Sequence, residues 1–263
     1  MGEALIFPVK SPHFLTKSWS EYDGCIPFII SDLITAIKER NGFETDGIFR
    51  VKVENVKIDE RYESLDSGKM RKFPESDTAI LLSCVLKKVL QTLCMIDPLF
   101  TIQQIQSILQ IVETKSANEE DLINELRRIV IGMDKSHRCS AAYIISFLGE
   151  LSQHSNTRMD AENLSICIGV CIYPKADATF VMKLQKFLRP LIEHADKIFE
   201  KEWYSDDKIM TDEQIIKYSR PIVEQYDIQI ESERRLYQSL SKIPIDQKYN
   251  EEILEYHYPI IIE

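Results

Sequence analysis

The chain has 263 residues, with 32 basic against 42 acidic side chains for a formal net charge of −10, and 44% of its residues are hydrophobic. Such a length and composition suit a soluble chain with one large or two small cores, and the acidity excludes a general nucleic-acid binder, which needs a basic face for phosphate. No apolar run approaches the ~18–20 residues that span a bilayer, and residues 1–10 lack the basic flank and long apolar block of a secretory leader.

Residues 1–25 mix prolines, serines and aromatics without a period and read as an extended lead-in that wraps a core. From Pro27, a residue suited to a first helical turn, Ile29, Ile30, Leu33, Ala36 and Ile37 recur at helical spacing. Gly42 is placed to end this helix in the left-handed conformation. A non-helical stretch follows, Gly42-Phe43-Glu44-Thr45-Asp46-Gly47-Ile48-Phe49-Arg50-Val51. Ile48 and Phe49 are apolar loop residues of the kind that pin a loop to a core. Arg50 comes directly after them and offers a planar fork suited to phosphate oxygens.

A short helix over 55–67 is built around Val56 and Leu65. Lys69-Met70-Arg71-Lys72 forms a basic loop, read either as a solvated turn or as a positive rim. Ser76 is the expected N-cap of the next helix, with Asp77 at its positive end. In that helix Ala79, Leu82, Leu86, Val89 and Leu93 step by three and four, and Lys87 and Gln91 share a face off the apolar stripe. Asp97-Pro98 stops it. Further helices are expected over 101–114, 119–131 and 138–153, over a segment capped by Asp160 that carries Asn163, Leu164, Ile168 and Cys171, and over a long stretch of 178–200.

Past Trp203 the composition shifts, and residues 201–263 hold 8 basic and 14 acidic side chains, −6 of the net charge. Thr211-Asp212-Glu213 opens a helix to about 225, a second covers 232–240, and the end, residues 256–262, is apolar and extended. There is no hairpin signal and no internal repeat, so the reading is an all-α helical bundle. Six cysteines contain no Cys-x-x-Cys pair and sit among apolar neighbours, as buried reduced thiols do. Five scattered histidines share no ligand spacing, so no metal is expected.

Three blocks carry a family resemblance. Gly47-Ile48-Phe49-Arg50 resembles the arginine-finger loop of Rho-family GTPase-activating (RhoGAP) domains. Leu86-Lys87-Lys88-Val89-Leu90-Gln91-Thr92-Leu93, followed by Pro98-Leu99, is similar to the family's Leu-Lys-x-x-Leu-Arg-x-Leu-Pro-x-Pro-Leu, with Gln91 in place of arginine and two extra residues before the proline. Thr157-Arg158-Met159-Asp160-Ala161-Glu162-Asn163-Leu164, ending Ile168-Gly169, is similar to the family's Asn-Lys-Met-x-x-x-Asn-Leu pattern, with Thr157 for Asn, Arg158 for Lys and Val170 for Pro. The blocks stand in the family's order within about residues 5–200.

The resemblance implies a RhoGAP-type bundle over 5–200, with 201–263 as an acidic, helical extension. It implies a protein that activates a Rho- or Rac-family GTPase in its GTP-bound state, rather than an enzyme with a substrate of its own. Arg50 would be supplied in trans as the catalytic group. Lys87 would fix the finger loop and interface, and Gln91, Arg158 and Asn163 would contact the GTPase. GTP and Mg2+ would come with the partner, and the chain would act as a cytoplasmic monomer recruited to a membrane surface by that partner. Simpler roles stand beside these: a surface arginine for Arg50, a solvated helix lysine for Lys87, a helix-end hydrogen bond for Asn163. A GTPase-binding or scaffold module of the same fold, with weak or no activating power, is the alternative kept open by Gln91, Thr157, Val170 and the two extra residues near Met95. A third reading places the work in residues 201–263.

Overall fold

The computed structural model describes residues 15, 17–22, 25–67, 70, 72–115 and 118–215, with 217, 228, 231, 232 and 235 as isolated positions. Nine α-helices lie among them: α1 Phe28–Glu39, α2 Asn55–Asp66, α3 Ala79–Ile96, α4 Ile102–Lys115, α5 Glu119–Ile131, α6 Lys135–Ser152, α7 Ala161–Ile172, α8 Ala178–Glu193 and α9 Ala195–Ile198. No strand occurs among the described residues, and the one isolated β-bridge joins Ile26 to Ile209. The architecture is the all-α bundle that the spacing of apolar residues requires.

Helix α3 lies at the centre, against α1, α2 and α7, while α7 packs along α8 and α6 closes the other side on α8 and α9. Its apolar stripe, Leu82, Leu86, Val89 and Leu93, is buried throughout. By length and hydropathy α3 alone among the described helices could cross a membrane, and 61% of it lies inside the bundle. Its apolar character is that of a helix packed on several sides.

Side-chain caps set most helix starts. Asn118, Asp134, Asp160 and Asp177 each accept backbone N–H groups of the first turn, satisfying donors that the helix leaves unpaired. Thr101 with Gln104, and Thr211 with Gln214, form reciprocal capping boxes. For α3 the cap is Thr78, whose Oγ1 accepts from the Leu81 N–H at 3.3 Å, and not Ser76. Asp77 is already committed: its N–H bonds the Pro74 carbonyl, and its buried carboxylate takes two hydrogen bonds from Arg61 at 2.7 and 3.0 Å. The helix therefore begins two residues later.

Other expectations are corrected in the same way. Val56 is 66% exposed, and α2 docks through Leu65 with Ile58 and Tyr62 instead. Gly42 does not take the left-handed conformation after α1; Asn41 does, at φ 56°, and Asn tolerates it through its short polar side chain. The long helix expected over 178–200 is broken at His194 (φ −115°, ψ 26°). The break turns Ala195 and Ile198 into the core, where Ala195 meets Gly149 of α6.

Where it is described, the lead-in is a 3-10 turn, Trp19–Tyr22, rather than extended chain. Trp19 is buried and donates from Nε1 to the Asp97 carbonyl at 2.7 Å, and the Leu15 N–H bonds Asp66 at 2.8 Å. At the other end, residues 201–215 stay on the bundle. The Ile26 N–H bonds the Lys208 carbonyl at 2.6 Å, the Met210 N–H returns to the Ile26 carbonyl at 3.4 Å, and Met210 and Ile215 are buried. Helical backbone begins after Thr211. The rest of that expected helix, the 232–240 helix and the apolar end fall largely outside the described residues.

Candidate functional site

The Gly42–Val51 loop is a shaped turn seated on α3. Ile48 and Phe49 are fully buried, and the Phe49 ring meets Phe147 of α6 edge-on with centroids 6.3 Å apart. Gly47 takes φ 68° and Phe49 φ 67°. For a bulky residue such as Phe49 this costs on the order of 1–3 kcal/mol and persists only where the surroundings hold it. Here they do. The Phe49 N–H donates to Ser83 Oγ at 3.3 Å, and Lys87 Nζ donates to the Phe49 carbonyl at 2.5 Å. Ser83 and Lys87 stand one turn apart on α3, so a single helix face grips both peptide groups of one residue. Cys84 adds a hydrogen bond to the Val51 carbonyl at 3.4 Å.

The loop is tied from a second side. The Gly47 N–H donates to the Thr157 carbonyl at 2.8 Å, and Asn156 bonds Glu44. Thr157 is itself buried, with its hydroxyl donating to the His154 carbonyl and accepting from the Met159 N–H. Thus the first and third blocks are joined by backbone. Arg158, in the left-handed region at φ 51°, projects from this junction.

With Ile48 and Phe49 buried before it, Arg50 is turned outward and its side chain is 48% exposed. Its guanidinium lies back over Gly47, 3.6 Å from Asp46 Oδ1, while Arg158 stands 3.4 Å from Asp46 Oδ2. Ion pairs this open are weak and leave both guanidiniums available. Lys87 is half-buried and bonded to the loop, not a solvated helix lysine, and Lys88 beside it is half-buried too, reaching Asp59 at 2.7 Å and covering the Tyr62 ring. Gln91 is exposed on α3 one turn beyond Lys87. The half-buried Asn163 has its backbone N–H capped by Asp160 Oδ1 at 2.8 Å. Helix α7 packs against α3, which carries Lys87, and its Cys167 thiol is pushed up by burial, against the opposing pull of Lys87 and Arg50. Of the basic segment 69–72 only Met70 and Lys72 are described.

Ser83 escaped the reading of the sequence. A serine in an apolar helix gives no signal of its own, and its place four residues before Lys87 was the one clue. A separate cavity of about 750 Å3 opens between α1, α6, α8 and the 201–204 segment, and none of Arg50, Lys87, Gln91, Arg158 or Asn163 lines it.

Comparison with known proteins decides the family. The model of the RhoGAP domain matches residues 27–177, more than half of the chain. The chain belongs to the RhoGAP domain family. It is 24% identical over 207 residues to Rho GTPase-activating protein 21 of Xenopus tropicalis, covering 75% of this chain and 10% of that protein. It is 26% identical over 181 residues to SLIT-ROBO Rho GTPase-activating protein 1 of Mus musculus, covering 66% and 17%. The chain thus spans a small part of the relatives it matches. Among solved structures, the BH domain of GRAF superposes with a TM-score of 0.58 at 19% identity, covering 70% of this chain and 97% of that one. Human Rho GTPase activating protein 15 gives 0.62 at 17%, covering 73% and 93%. These likenesses establish the RhoGAP fold, and the matched span includes the Gly42–Val51 loop, α3 and α7.

Proposed function

We propose that this RhoGAP domain accelerates GTP hydrolysis by a GTP-bound Rho-family GTPase, with Arg50 supplied as the finger. The supporting observation is an exposed guanidinium on a loop whose two preceding residues are buried and whose backbone is held by Ser83, Lys87 and Thr157. As the γ-phosphoryl group leaves, charge spreads over its oxygens, and a cation brought from outside stabilises it. Such a finger contributes about 10³–10⁵ in rate, roughly 4–7 kcal/mol of barrier. A loop shaped in advance spends little binding energy on ordering.

Lys87 serves this chemistry by fixing the Phe49 carbonyl, so its charge supports the loop rather than the phosphate. Gln91, Arg158 and Asn163 flank the finger as contacts for the partner. GTP and Mg2+ come with that partner, and the chain acts in the cytoplasm at whatever membrane the GTPase occupies. The substitution of Gln91 at a position where the family carries arginine favours a second reading, in which the surface binds a GTPase with reduced activation.

The deciding measurement is single-turnover phosphate release from a panel of Rho-family GTPases. Wild-type chain should accelerate at least one, and Arg50→Ala should lose nearly all of that acceleration while holding affinity within a few-fold. Acceleration that survives Arg50→Ala would remove the finger role. Binding without acceleration by the wild type would establish the second reading.

A further inference from the structure

We infer that Ser83 is a positioning residue for the arginine finger, an assignment that rests on the proposed role of Arg50. Ser83 is fully buried in α3 and does not face the partner surface. Its hydroxyl is oriented: Oγ donates to the Ile80 carbonyl at 2.8 Å, so the proton is spent within the helix and a lone pair is left for the Phe49 N–H, 3.3 Å away. No other hydrogen bond of that N–H occurs among the described residues, and with Phe49 and Ser83 both fully buried, loss of this partner would leave a buried donor unpaired.

The peptide so held is the one that matters for aim. Phe49 has φ 67°, and the next residue is Arg50. Rotation of Phe49 toward the ordinary β or α regions would swing the Arg50 Cα and redirect its side chain. Lys87 restrains only the carbonyl end of Phe49, through a long side chain with several rotors. Ser83 restrains the amide end through one short side chain fixed to the α3 backbone. Together they define both ends of a conformation that Phe49 alone does not favour. The Phe49 ring has a separate task, since it packs against Phe147 and bonds neither peptide group.

Ser83→Ala keeps the helix and removes the acceptor of the Phe49 N–H, together with a hydroxyl donor to the Ile80 carbonyl inside α3. The finger then samples several directions, and misplacement by about 1 Å can cost on the order of 100-fold in rate. The GTPase-contacting surface is untouched, so the loss should fall on the maximal rate and not on affinity.

Two measurements test this. The first needs no GTPase: hydrogen exchange of the Phe49 amide in the full chain. The amide should be protected in wild type and exchange about tenfold or more faster in Ser83→Ala, with Ser83→Thr, which retains the hydroxyl, close to wild type. Equal protection in wild type and Ser83→Ala would overturn the hydrogen bond. The second is a cycle with Arg50→Ala in single-turnover hydrolysis. Ser83→Ala should lower the maximal rate about ten- to 100-fold with GTPase affinity within twofold, and should have no further effect in the Arg50→Ala background. An additional loss in that background, or a loss of affinity matching the loss of rate, would show a merely structural residue and overturn the assignment. Absence of acceleration by the wild type would instead remove the function proposed above, while the exchange result would still report on the hydrogen bond.

Discussion

A methyl group at position 42 would lie 2.5 Å from Ile37 Cγ2 and 2.7 Å from the Ile37 carbonyl oxygen. One of those neighbours is backbone and cannot rotate away, so Gly42→Ala should cost about 1–3 kcal/mol, read as a lowered urea midpoint with unchanged slope. The sequence correctly marks this glycine as special but points to the wrong reason. Close approach to Ile37 demands it, and Asn41 supplies the left-handed turn. Gln91 poses a different question at the same scale. It is exposed one turn from Lys87, so Gln91→Arg adds a cation to the surface beside the Arg50 loop without disturbing packing. Affinity for the GTP-bound GTPase proposed above should tighten by about three- to tenfold at low salt and lose that gain as ionic strength rises; titration at two salt concentrations checks it.

Among the elements, helices were legible wherever an apolar stripe ran between a cap and a stop, and α5 begins and ends where its pattern does. The errors lie where tertiary contacts decide. Leu191 and Ile198 remain in phase across seven residues, so nothing in periodicity reveals the turn at His194 that carries Ala195 onto Gly149. The start of α3 was missed because the pairing of Asp77 with Arg61 spans two elements. Of the site, the buried Ile48-Phe49 anchor was legible in the sequence, while the grip of Ser83 on the loop depends on a φ angle that no residue pattern displays. Capping offers a direct test. Asp160 Oδ1 holds the Asn163 N–H at the start of α7, so Asp160→Ala should cost about 1 kcal/mol. The fall should appear as a lowered melting temperature, with hydrogen exchange quickened in the first turn of α7.

At the scale of the whole molecule, all six cysteines are free thiols, four buried and two, Cys25 and Cys167, partly exposed. Alkylation of the native chain should label Cys25 and Cys167 first and reach the others only on unfolding, as peptide mass spectrometry will show. Burial pushes Cys94 and Cys171 up from 9.0 to about 12. These groups ionise in the unfolded chain before they do so in the folded one. Their contribution to stability is therefore complete below pH 9.0 and is lost as pH rises from there through about 12. Denaturant midpoints measured across that alkaline range should fall, and Cys94→Ala with Cys171→Ala should flatten the fall even though the doubly substituted chain is less stable at neutral pH.

The hydrogen bond from the Gly47 N–H to the Thr157 carbonyl joins two stretches far apart along the chain. On the surface they form one tied patch, in which Arg50 and Arg158 both approach Asp46. A partner that presses on either stretch moves both, and neither can be retuned alone. Selection for a new partner of the class proposed above should therefore recover paired changes, one near residue 47 and one near residue 157, more often than single ones.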